Sequence, residues 1–451
     1  MQGIMMQGKP LKILGKLVLC VLALLLVYFL GVLLINWSDK PPSTTVIEFH
    51  QSRDSRKPVN DNDNGYFYLL GFDVEEDLDP RVVGAERVEW TKDVIRSAAD
   101  EFLSFPQAYN DFQKQLPKNI KKLIDLCSQV STDCINSISR ERKFINEWSD
   151  NRSWAIERYQ KLISHKAWLE LAEVDMRLPL PNYGDVMKAQ RLTFIDAFAS
   201  IQRDDGASFV GLLNKDLRFW RTMLKDTDML IGKMIAVVAI KNNLLWTNHF
   251  HLKMKKNTKS DVVFTVLNQP FTEEELSMRR CLIGEWFFSH GAMNPLDGAG
   301  INNLTGKILL KFSYQKQATL NNLAESLNSV ILELDTPLAN FESALQKYQA
   351  KRRPEKSLTF YLRHPYNVVG EILSDVASPT IYTDYVVRTK DLEAFRRGLL
   401  LSIEQMEPSS SEMVHHVSPY KTKPFLLNQE QQSITVSGLG NDARAQQIYY
   451  Y

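Results

Sequence analysis

The sequence lacks an excess of charge of either sign. Lysine and arginine number 54, aspartate and glutamate number 53, and the formal net charge is +1. Proteins that bind nucleic acid normally carry a strong basic excess, because they must neutralise a phosphate backbone. The balance therefore argues against a nucleic-acid partner.

Two common catalytic signatures are also missing. The chain contains neither a Gly-x-Ser-x-Gly nucleophile turn nor a His-Glu-x-x-His zinc motif. The sequence also has no internal repeat at a fixed period. No residue pattern predicts a bound cofactor or a metal site, so an enzymatic function has little support at this level.

One weak pattern is the Asp-x-Asp pair formed by Asp226 and Asp228. Many glycosyltransferases bind a metal–nucleotide through such a pair, which in those enzymes follows an apolar strand. Here the pair follows a stretch with helical character, and two further copies occur elsewhere in the chain. We therefore predict that Asp228 caps the next helix. A type II glycosyltransferase remains an alternative.

A second weak pattern is the His-Phe-His triplet at His249 and His251. Two histidines on one strand face would suit a metal, but three lysines follow closely and no acidic or cysteine ligand lies nearby. We interpret the triplet as part of a solvated helix end. There the positive charges of the lysines that follow are stabilised by the negative C-terminal end of the helix dipole.

Long hydrophobic runs are scarce, and the clearest lies near the N-terminus. Residues 17–35 are apolar and carry no charge, and Trp37 follows at an interfacial position. At about 1.5 Å per residue these positions nearly cross a hydrocarbon core of about 30 Å. We predict a transmembrane helix over residues 17–37. The next best run, residues 234–240, is short and predicts a buried helix.

The charges that flank this run predict its orientation. Lys9, Lys12 and Lys16 precede it, whereas Asp39 and Lys40 cancel on the other side. Positive flanks stay cytoplasmic, so the body should lie on the far side of the membrane from the cytoplasm. A cleaved signal peptide is the alternative, but residues 35–40 offer no small-x-small cleavage site.

Beyond the anchor, apolar residues recur mostly at helical spacing. The predicted fold is mainly α, with a large helical extracytoplasmic body and a few short strands. Strands are expected over residues 261–267 and 380–387. Thr272 and Glu275 form a capping box that should start a helix. The predicted segments are a basic cytoplasmic N-terminus (1–16), the transmembrane helix (17–37), a flexible tether (38–65), a mainly helical domain (66–290), a second helical part with short strands (291–406) and a mobile tail (407–451).

Cysteine is rare, with four residues in 451. Cys127 and Cys134 lie seven positions apart, and weak helix formers between them favour a break. In an oxidising compartment they can close a small loop as a disulfide. If the region were one helix, they would be about 10.5 Å apart, too far to bond. Cys281 is predicted to be a buried free thiol.

Glu285 is the only candidate for a catalytic acid. It precedes Trp286 in an apolar stretch, where burial would raise the pKa of a carboxyl group. The alternative is an ion pair with an arginine on an adjoining turn.

Several short segments resemble a known group of proteins. They are residues 64–72, then Asp79, Pro80 and Gly84, then Phe312 with residues 318–321, and finally residues 367–370. They are similar to single-pass inner-membrane proteins of Gram-negative bacteria to which no activity is assigned. The resemblance implies a periplasmic body on an inner-membrane anchor, and it transfers no catalytic residue.

These observations favour a membrane-anchored, non-enzymatic interaction or scaffold module of the cell envelope. Its partners would be membrane lipid, through residues 17–37, and another envelope protein. The alternative is an anchored enzyme that acts on an envelope polymer or lipid, with Glu285 as its acid.

Overall fold

The protein is mainly helical in the computed structural model, with a few short strands, as predicted. The structure describes residues 8–97, 102–106, 116–149, 154–201, 206–255, 265–293, 306, 310–351, 356–376, 379–406, 417–440 and 446–450.

The elements follow one another in a long helical series that ends in three strands. The helices are α1 (Gly8–Ile35), α2 (Thr44–Asp54), α3 (Gly65–Leu70), α4 (Pro80–Ser97), α5 (Lys118–Leu126), α6 (Thr132–Ser149), α7 (Trp154–Leu162), α8 (Tyr183–Ser200), α9 (Ala207–Asp226), α10 (Leu230–Lys255), α11 (Glu273–Leu276), α12 (Arg279–Met293), α13 (Lys316–Leu334), α14 (Leu338–Ala350), α15 (Leu358–Arg363), α16 (Val368–Val376) and α17 (Pro379–Met406). The strands are β1 (Leu426–Asn428), β2 (Ser433–Val436) and β3 (Gln446–Tyr449).

The chain folds into two compact units that interleave along the sequence, whereas consecutive segments were predicted. We call the first the anchor unit; it comprises Met1–Ser52, Met293–Ser326 and Arg352–Ser378. We call the second the helical unit; it comprises Arg53–Ala292, Leu327–Lys351 and Pro379–Tyr451. Each unit is therefore built from segments far apart in sequence.

Two helices are long and apolar enough to cross a membrane, and their burial differs. Ile13–Ile35 within α1 has a mean hydropathy of 3.2, and none of its most apolar window is buried. Leu230–Met254 within α10 has a mean hydropathy of 1.2, and 61% of its window is buried. The buried helix predicted around residues 234–240 is thus confirmed as a core helix, and α1 alone leaves its apolar side chains uncovered.

The core of the helical unit is built around α10, which packs against α8, α9 and α17. Trp246 on α10 is fully buried, and its ring centroid lies 5.8 Å from that of Phe194 and 5.5 Å from that of Phe198. Phe209 and Phe250 extend the cluster, with their ring centroids 5.3 Å apart. Such aromatic contacts fix the helices relative to one another, because each ring buries a large area.

The strands lie near the C-terminus, not where the sequence pattern placed them. β1, β2 and β3 form an antiparallel sheet in that order, with Leu426 opposite Thr435 and Ser433 opposite Tyr449. This sheet lies within residues 407–451, the segment predicted as a mobile tail. A Cβ atom at Gly398 on α17 would lie 2.3 Å from Val436, so the sheet packs closely on that helix.

Neither of the two strands predicted from β-branched residues is present where the structure describes their residues. Residues 380–387 lie inside α17, so that prediction is wrong. Residues 265–267 form a turn, and residues 261–264 lie outside the described part of the chain. Residues 380–387 became helical because Val386 and Val387 are buried on the packed side of α17, and burial outweighs strand propensity.

Two further local expectations met different outcomes. The capping box is confirmed, since Thr272 and Glu275 bond reciprocally, but α11 ends at Leu276 and α12 starts separately at Arg279. The predicted tether over residues 38–65 contains helix α2, in which Phe49 is fully buried.

The cysteine prediction agrees with the structure. α5 ends at Leu126 and α6 begins at Thr132, which provides the expected break. The sulfur atoms of Cys127 and Cys134 lie 2.10 Å apart, at disulfide distance. Cys281 is buried and free, as predicted.

Close packing of α3 against α4 generates a test of stability. A Cβ atom at Gly84 would lie 1.8 Å from the carbonyl oxygen of Phe67, whereas one at Gly211 would meet nothing within 4 Å. We expect Gly84→Ala to lower the free energy of unfolding by about 1–3 kcal/mol through overpacking against backbone. Gly211→Ala is the control and should raise that free energy by up to about 1 kcal/mol, because alanine favours helix.

Urea unfolding of the full chain in mild detergent, followed by circular dichroism, measures both changes. Equal stability of the Gly84→Ala variant and the wild-type chain would show that α3 and α4 are not packed this closely.

Candidate functional site

A buried carboxylate, that of Glu170, occupies the start of the central helix α10. Glu170 lies between α7 and α8 and is 8% exposed. One of its oxygens accepts hydrogen bonds from Trp168 Nε1 at 3.1 Å and from Thr227 Oγ1 at 2.6 Å. The other accepts from the backbone N–H groups of Asp228 at 3.0 Å and Met229 at 3.1 Å. Since α10 begins at Leu230, Glu170 caps it from a distant part of the chain.

Asp228 therefore does not act as the predicted helix cap. Its carboxylate forms an ion pair with Arg56, and it accepts a hydrogen bond of 2.7 Å from Nε of Arg280. Arg280 also contacts Asp226 at 3.3 Å. Hydrogen bonds from two guanidinium groups stabilise a carboxylate more than hydrogen bonds from two backbone amides do. Asp228 therefore binds the two arginines, and Glu170 caps the helix.

A glycine on α12 makes this arrangement fit. A Cβ atom at Gly284 would lie 1.8 Å from the carbonyl oxygen of Asp228. The backbone of α12 thus rests directly on the turn between α9 and α10. Arg280 lies one turn earlier on α12, which brings its guanidinium group to Asp226 and Asp228.

The electrostatics of this cluster follow from burial. Burial and the charge of Asp228 raise the pKa of Glu170 to about 7, while the hydrogen bonds from Thr227, Trp168 and the Asp228 backbone partly offset that rise. Burial lowers the pKa of Arg56, and the opposite charge of Asp228 counteracts this. Glu170 can therefore exchange a proton near neutral pH.

A small cavity lies beside Glu170. Its volume is about 40 Å³, and its lining includes Tyr66, Thr91, Asp175 and Tyr183. The Tyr183 hydroxyl is buried and has no hydrogen-bond partner in the described part of the chain. A water molecule needs roughly 10–15 Å³ of such space, whereas substrate pockets measure about 300–1,000 Å³. The cavity therefore suits a few water molecules and no organic substrate.

A second buried carboxylate, Asp216, joins four helices. It accepts hydrogen bonds from Trp220 Nε1 at 3.2 Å, Gln190 Nε2 at 3.2 Å, Asn243 Nδ2 at 2.9 Å and the hydroxyl of Tyr159. Burial raises its pKa to about 6, although these hydrogen bonds lower it. Donors from α7, α8, α9 and α10 meet on one residue, so its task is to hold the helices together.

Glu285, the candidate acid, follows Gly284 on α12. It lies half-buried on α12, and burial raises its pKa. Within the described ranges its carboxylate has no hydrogen bond or ion pair, and Arg280 binds Asp226 and Asp228 instead. Burial, together with the charge of Glu285, raises the pKa of Tyr382, which places the tyrosine near Glu285.

The histidine pair occupies a buried environment, so the prediction of a solvated helix end is wrong. α10 continues to Lys255, and His249 is buried and hydrogen-bonded to the backbone of Val130. Burial lowers the pKa of His249 and of His251 to about 4. Across the described segments, no group of three or more histidine, cysteine or acidic residues is arranged to hold a metal.

The Asp-x-Asp pair also lacks the setting that a nucleotide site requires. Asp226 ends helix α9, and no strand precedes it in the described residues 206–226. Both carboxylates are bonded to Arg280. This arrangement gives no support to the glycosyltransferase alternative.

A different polar cluster fixes the end of α1 within the anchor unit. Asn36 is 1% exposed and donates through Nδ2 to the carbonyl of Pro365 at 2.8 Å. Its Oδ1 accepts from the backbone N–H of Asn367 at 2.8 Å, and its carbonyl accepts from Gln315 Nε2 at 2.8 Å. Asn367 has a φ of 54° and accepts from the backbone N–H of Gln315 at 2.7 Å. Asparagine tolerates this left-handed conformation better than most residues.

The next residues are fixed in the same way, although the sequence predicted a flexible tether from residue 38. Asp39 accepts from the backbone N–H groups of Gln317 at 2.6 Å and Ala318 at 2.9 Å, which caps the start of α13. The carbonyl of Pro41 accepts from Asn321 Nδ2 at 2.9 Å. The chain therefore leaves α1 through defined hydrogen bonds.

Sequence reasoning missed these residues, although weak signals exist. Glu170 is a single carboxylate between the apolar residues Trp168, Leu169 and Leu171. Asn36 is the first polar residue after a long apolar run. An isolated polar side chain in apolar surroundings needs partners when buried, which is the signal that could have identified both.

No family model matches the chain, and no curated protein and no solved structure matches it either. The resemblance to inner-membrane proteins stays an expectation. The residues that carry it lie in two places: residues 64–84 include α3 and its contact with α4, and residues 318–321 and 367–370 lie in the anchor unit, where Asn367 contacts Asn36, Ala318 contacts Asp39 and Asn321 contacts Pro41.

The raised pKa of Glu170 predicts how stability depends on pH. Between pH 4.5 and 7 the unfolded chain loses this proton before the folded chain does, so the contribution of Glu170 to the free energy of unfolding falls as pH rises. The slope can reach about 1.4 kcal/mol per pH unit. Asp216 contributes the same sign, but only up to about pH 6.

Urea unfolding at about pH 6.0, 6.5 and 7.0, within the window given by linkage, measures this contribution of Glu170. We expect the free energy of unfolding of the wild-type chain, relative to that of a Glu170→Gln variant at the same pH, to fall across this window. The buried histidines His249 and His251 have lowered pKa values and give the opposite slope, but they are common to both chains and cancel in this difference. The same difference measured in an Asp216→Asn background excludes Asp216 as its source. A difference that does not change with pH would show that the carboxylate of Glu170 is already ionised at about pH 6.

Proposed function

We propose that this chain is a single-pass inner-membrane protein whose α1 is an uncleaved anchor. The observation that supports the anchor is the exposure of α1, because the apolar residues 17–35 lie within a 23-residue candidate span whose most apolar window is not buried, and such a surface has no favourable place in water. The hydrogen bonds around Asn36 and Asp39 also support an uncleaved helix, since they join the end of α1 to α13 and to residues 365–367. Cleavage would discard a helix that the fold holds in place.

We infer that the body lies on the periplasmic side. Three lysines precede the apolar run, and the two charges after it cancel, which favours a cytoplasmic N-terminus. The disulfide distance between Cys127 and Cys134 adds support, because structural disulfides persist in oxidising compartments and are rare in the cytosol.

We propose further that the body is a non-enzymatic interaction or scaffold module of the cell envelope. The observation that carries this proposal is the use made of the buried acids: Glu170 caps α10, Asp216 joins four helices, and Asp228 binds two arginines. Catalytic acids need access to a substrate. These carboxylates instead stabilise the fold through hydrogen bonds and ion pairs. The cavity beside Glu170 is too small for an organic substrate.

An anchored enzyme is the second candidate, and one observation favours it. The carboxylate of Glu285 has a raised pKa and no hydrogen bond or ion pair among the described residues. A carboxylate of this kind can act as a general acid on an envelope polymer or lipid. The enzyme candidate therefore requires the carboxylate of Glu285 as an acid, whereas the scaffold candidate does not.

Orientation and anchoring predict the behaviour of fusions in a Gram-negative host. Alkaline phosphatase fused after Trp90 should be active and membrane-bound at full length, because the enzyme needs an oxidising compartment. Fusion after Lys16 is the control and should be inactive. A shortened product released from the membrane would establish a cleaved signal instead, and an inactive Trp90 fusion would overturn the orientation.

The same cells allow a thiol count on the denatured full chain. Four cysteines are present, and Cys20 and Cys281 are the free ones, so two thiols should react before reduction and four after it. Four reactive thiols before reduction would contradict the periplasmic placement of Cys127 and Cys134.

Crosslinking in native membranes separates the two functional candidates. A scaffold should be recovered in constant ratio with one envelope protein, and the Glu285→Gln variant should keep both that partner and the cellular phenotype, because the substitution conserves shape. Residues 1–40 fused to an unrelated body are the control and should not recover the partner. Loss of phenotype in Glu285→Gln, with folding and partner recovery intact, would favour the enzyme.

A further inference from the structure

Two short helices of the anchor unit leave their apolar side chains exposed. On α15, Leu358 is 76% exposed and Leu362 is 52% exposed. On α16, Ile372 is 44% exposed and Val376 is 72% exposed. Each pair is spaced by four residues and so lies on one side of its helix. Together they form an apolar surface that the described residues leave uncovered, which we call the α15–α16 surface.

The two helices are held together by bonds that neutralise their charges. Lys356, just before α15, contacts Glu371 at 2.6 Å and Asp375 at 3.0 Å on α16. The hydroxyl of Tyr361 donates to Asp375 at 3.1 Å. These pairs satisfy the lysine and both carboxylates within the helix pair, which lowers the cost of placing it against an apolar medium.

A hydrogen bond from α1 fixes where this surface lies relative to the anchor. The hydroxyl of Tyr28 donates to the carbonyl of Leu362 at 3.0 Å. Tyr28 precedes Ile35, the last residue of α1, by seven positions, which corresponds to about 10 Å along the helix. Even if the tyrosine side chain points toward that end, its hydroxyl lies below the level where the chain leaves α1. α15 therefore reaches back alongside the apolar part of α1.

The hydrogen bond also satisfies groups that need partners in an apolar medium. A phenolic hydroxyl within a hydrophobic helix requires an acceptor, and the last carbonyls of α15 lack partners within their own helix. The hydrogen bond from the Tyr28 hydroxyl to the Leu362 carbonyl satisfies both groups. This pairing suits a site that water does not reach.

We propose that α15 and α16 insert the α15–α16 surface into the non-cytoplasmic leaflet of the bilayer that α1 spans. The occupant of the surface is then the acyl-chain region of phospholipid, continuous with the lipid around α1. The proposal rests on the membrane anchor of the proposed function. Apolar side chains on short interfacial helices bind membranes in this manner, and here the anchor already supplies the first contact. The anchor unit would then have a fixed orientation on the membrane surface.

Nitroxide accessibility in the full chain tests this proposal. A parent with Cys20→Ser is reconstituted in vesicles of phosphatidylethanolamine and phosphatidylglycerol, and a spin label is attached at Leu358→Cys or Val376→Cys. Collision with oxygen, which concentrates in lipid, is compared with collision with a water-soluble nickel complex. Two further variants serve as references: Leu24→Cys in the middle of α1, and Thr359→Cys, an exposed polar position on the adjacent side of α15.

We expect labels at 358 and 376 to lose nickel collisions and retain oxygen collisions, as at 24, while the label at 359 stays open to nickel. Nickel access at 358 and 376 with a shielded label at 24 would overturn this proposal and leave the anchor intact. Nickel access at 24 would instead refute the anchor. Shielding of 358 and 376 from both reagents would also overturn the proposal, because it would place protein on the surface.

Discussion

The buried start of α10 is the constraint on which the helical unit depends. α10 packs against α8, α9 and α17, so its first backbone N–H groups cannot reach bulk water and need an acceptor inside the protein. Glu170 supplies it by accepting from Asp228 and Met229. That bond holds the segment before α8 in place and leaves the carboxylate of Asp228 to Arg56 and Arg280. Arg280 in turn brings α12 onto the turn between α9 and α10, where Gly284 leaves room for it. The need of one helix end for hydrogen-bond acceptors thus sets the positions of three other segments, which are the segment before α8, the segment that carries Arg56, and α12.

The sequence predicts a structural feature when the residues that produce it lie close together in the chain, and fails to predict it when they lie far apart. The apolar run of α1, the break between Cys127 and Cys134 and the Thr272 capping box were predictable, because each depends on a few adjacent residues. Asp228 was assigned the wrong task because its partners Arg56 and Arg280 lie 172 and 52 positions away. The strands escaped detection for the same reason, since β2 and β3 pack on α17. Local propensity at residues 380–387 pointed to a strand and was overruled by burial.

The end of α1 illustrates the same limit in the anchor unit. Polar residues that follow an apolar run look like the beginning of a linker, and nothing near Asn36 in the sequence contradicts that interpretation. Besides the local partners Val32 and Lys40, the partners of Asn36 and Asp39 are Gln315, Gln317, Ala318, Pro365 and Asn367, which lie about 280 to 330 positions further along the chain. Their hydrogen bonds turn an expected tether into a fixed joint. Such a joint fixes the orientation of α1 relative to the rest of the anchor unit, which a flexible tether would not do.

In both units, buried backbone groups obtain their hydrogen-bond partners from side chains of remote segments. Because each is assembled from segments that leave and later return, helix ends and loop backbones become buried where no local partner is available. Side-chain oxygens from remote segments take the place of that partner: Glu170 for α10, Asp39 for α13, and Asn367 for the backbone of Gln315. Such bonds add specificity more than net stability, since a single hydrogen bond contributes only about 0.5–1.5 kcal/mol while an unmade one costs about 1–3 kcal/mol. The remote acceptors therefore define which segments belong together, and the hydrophobic core supplies most of the free energy that keeps them there.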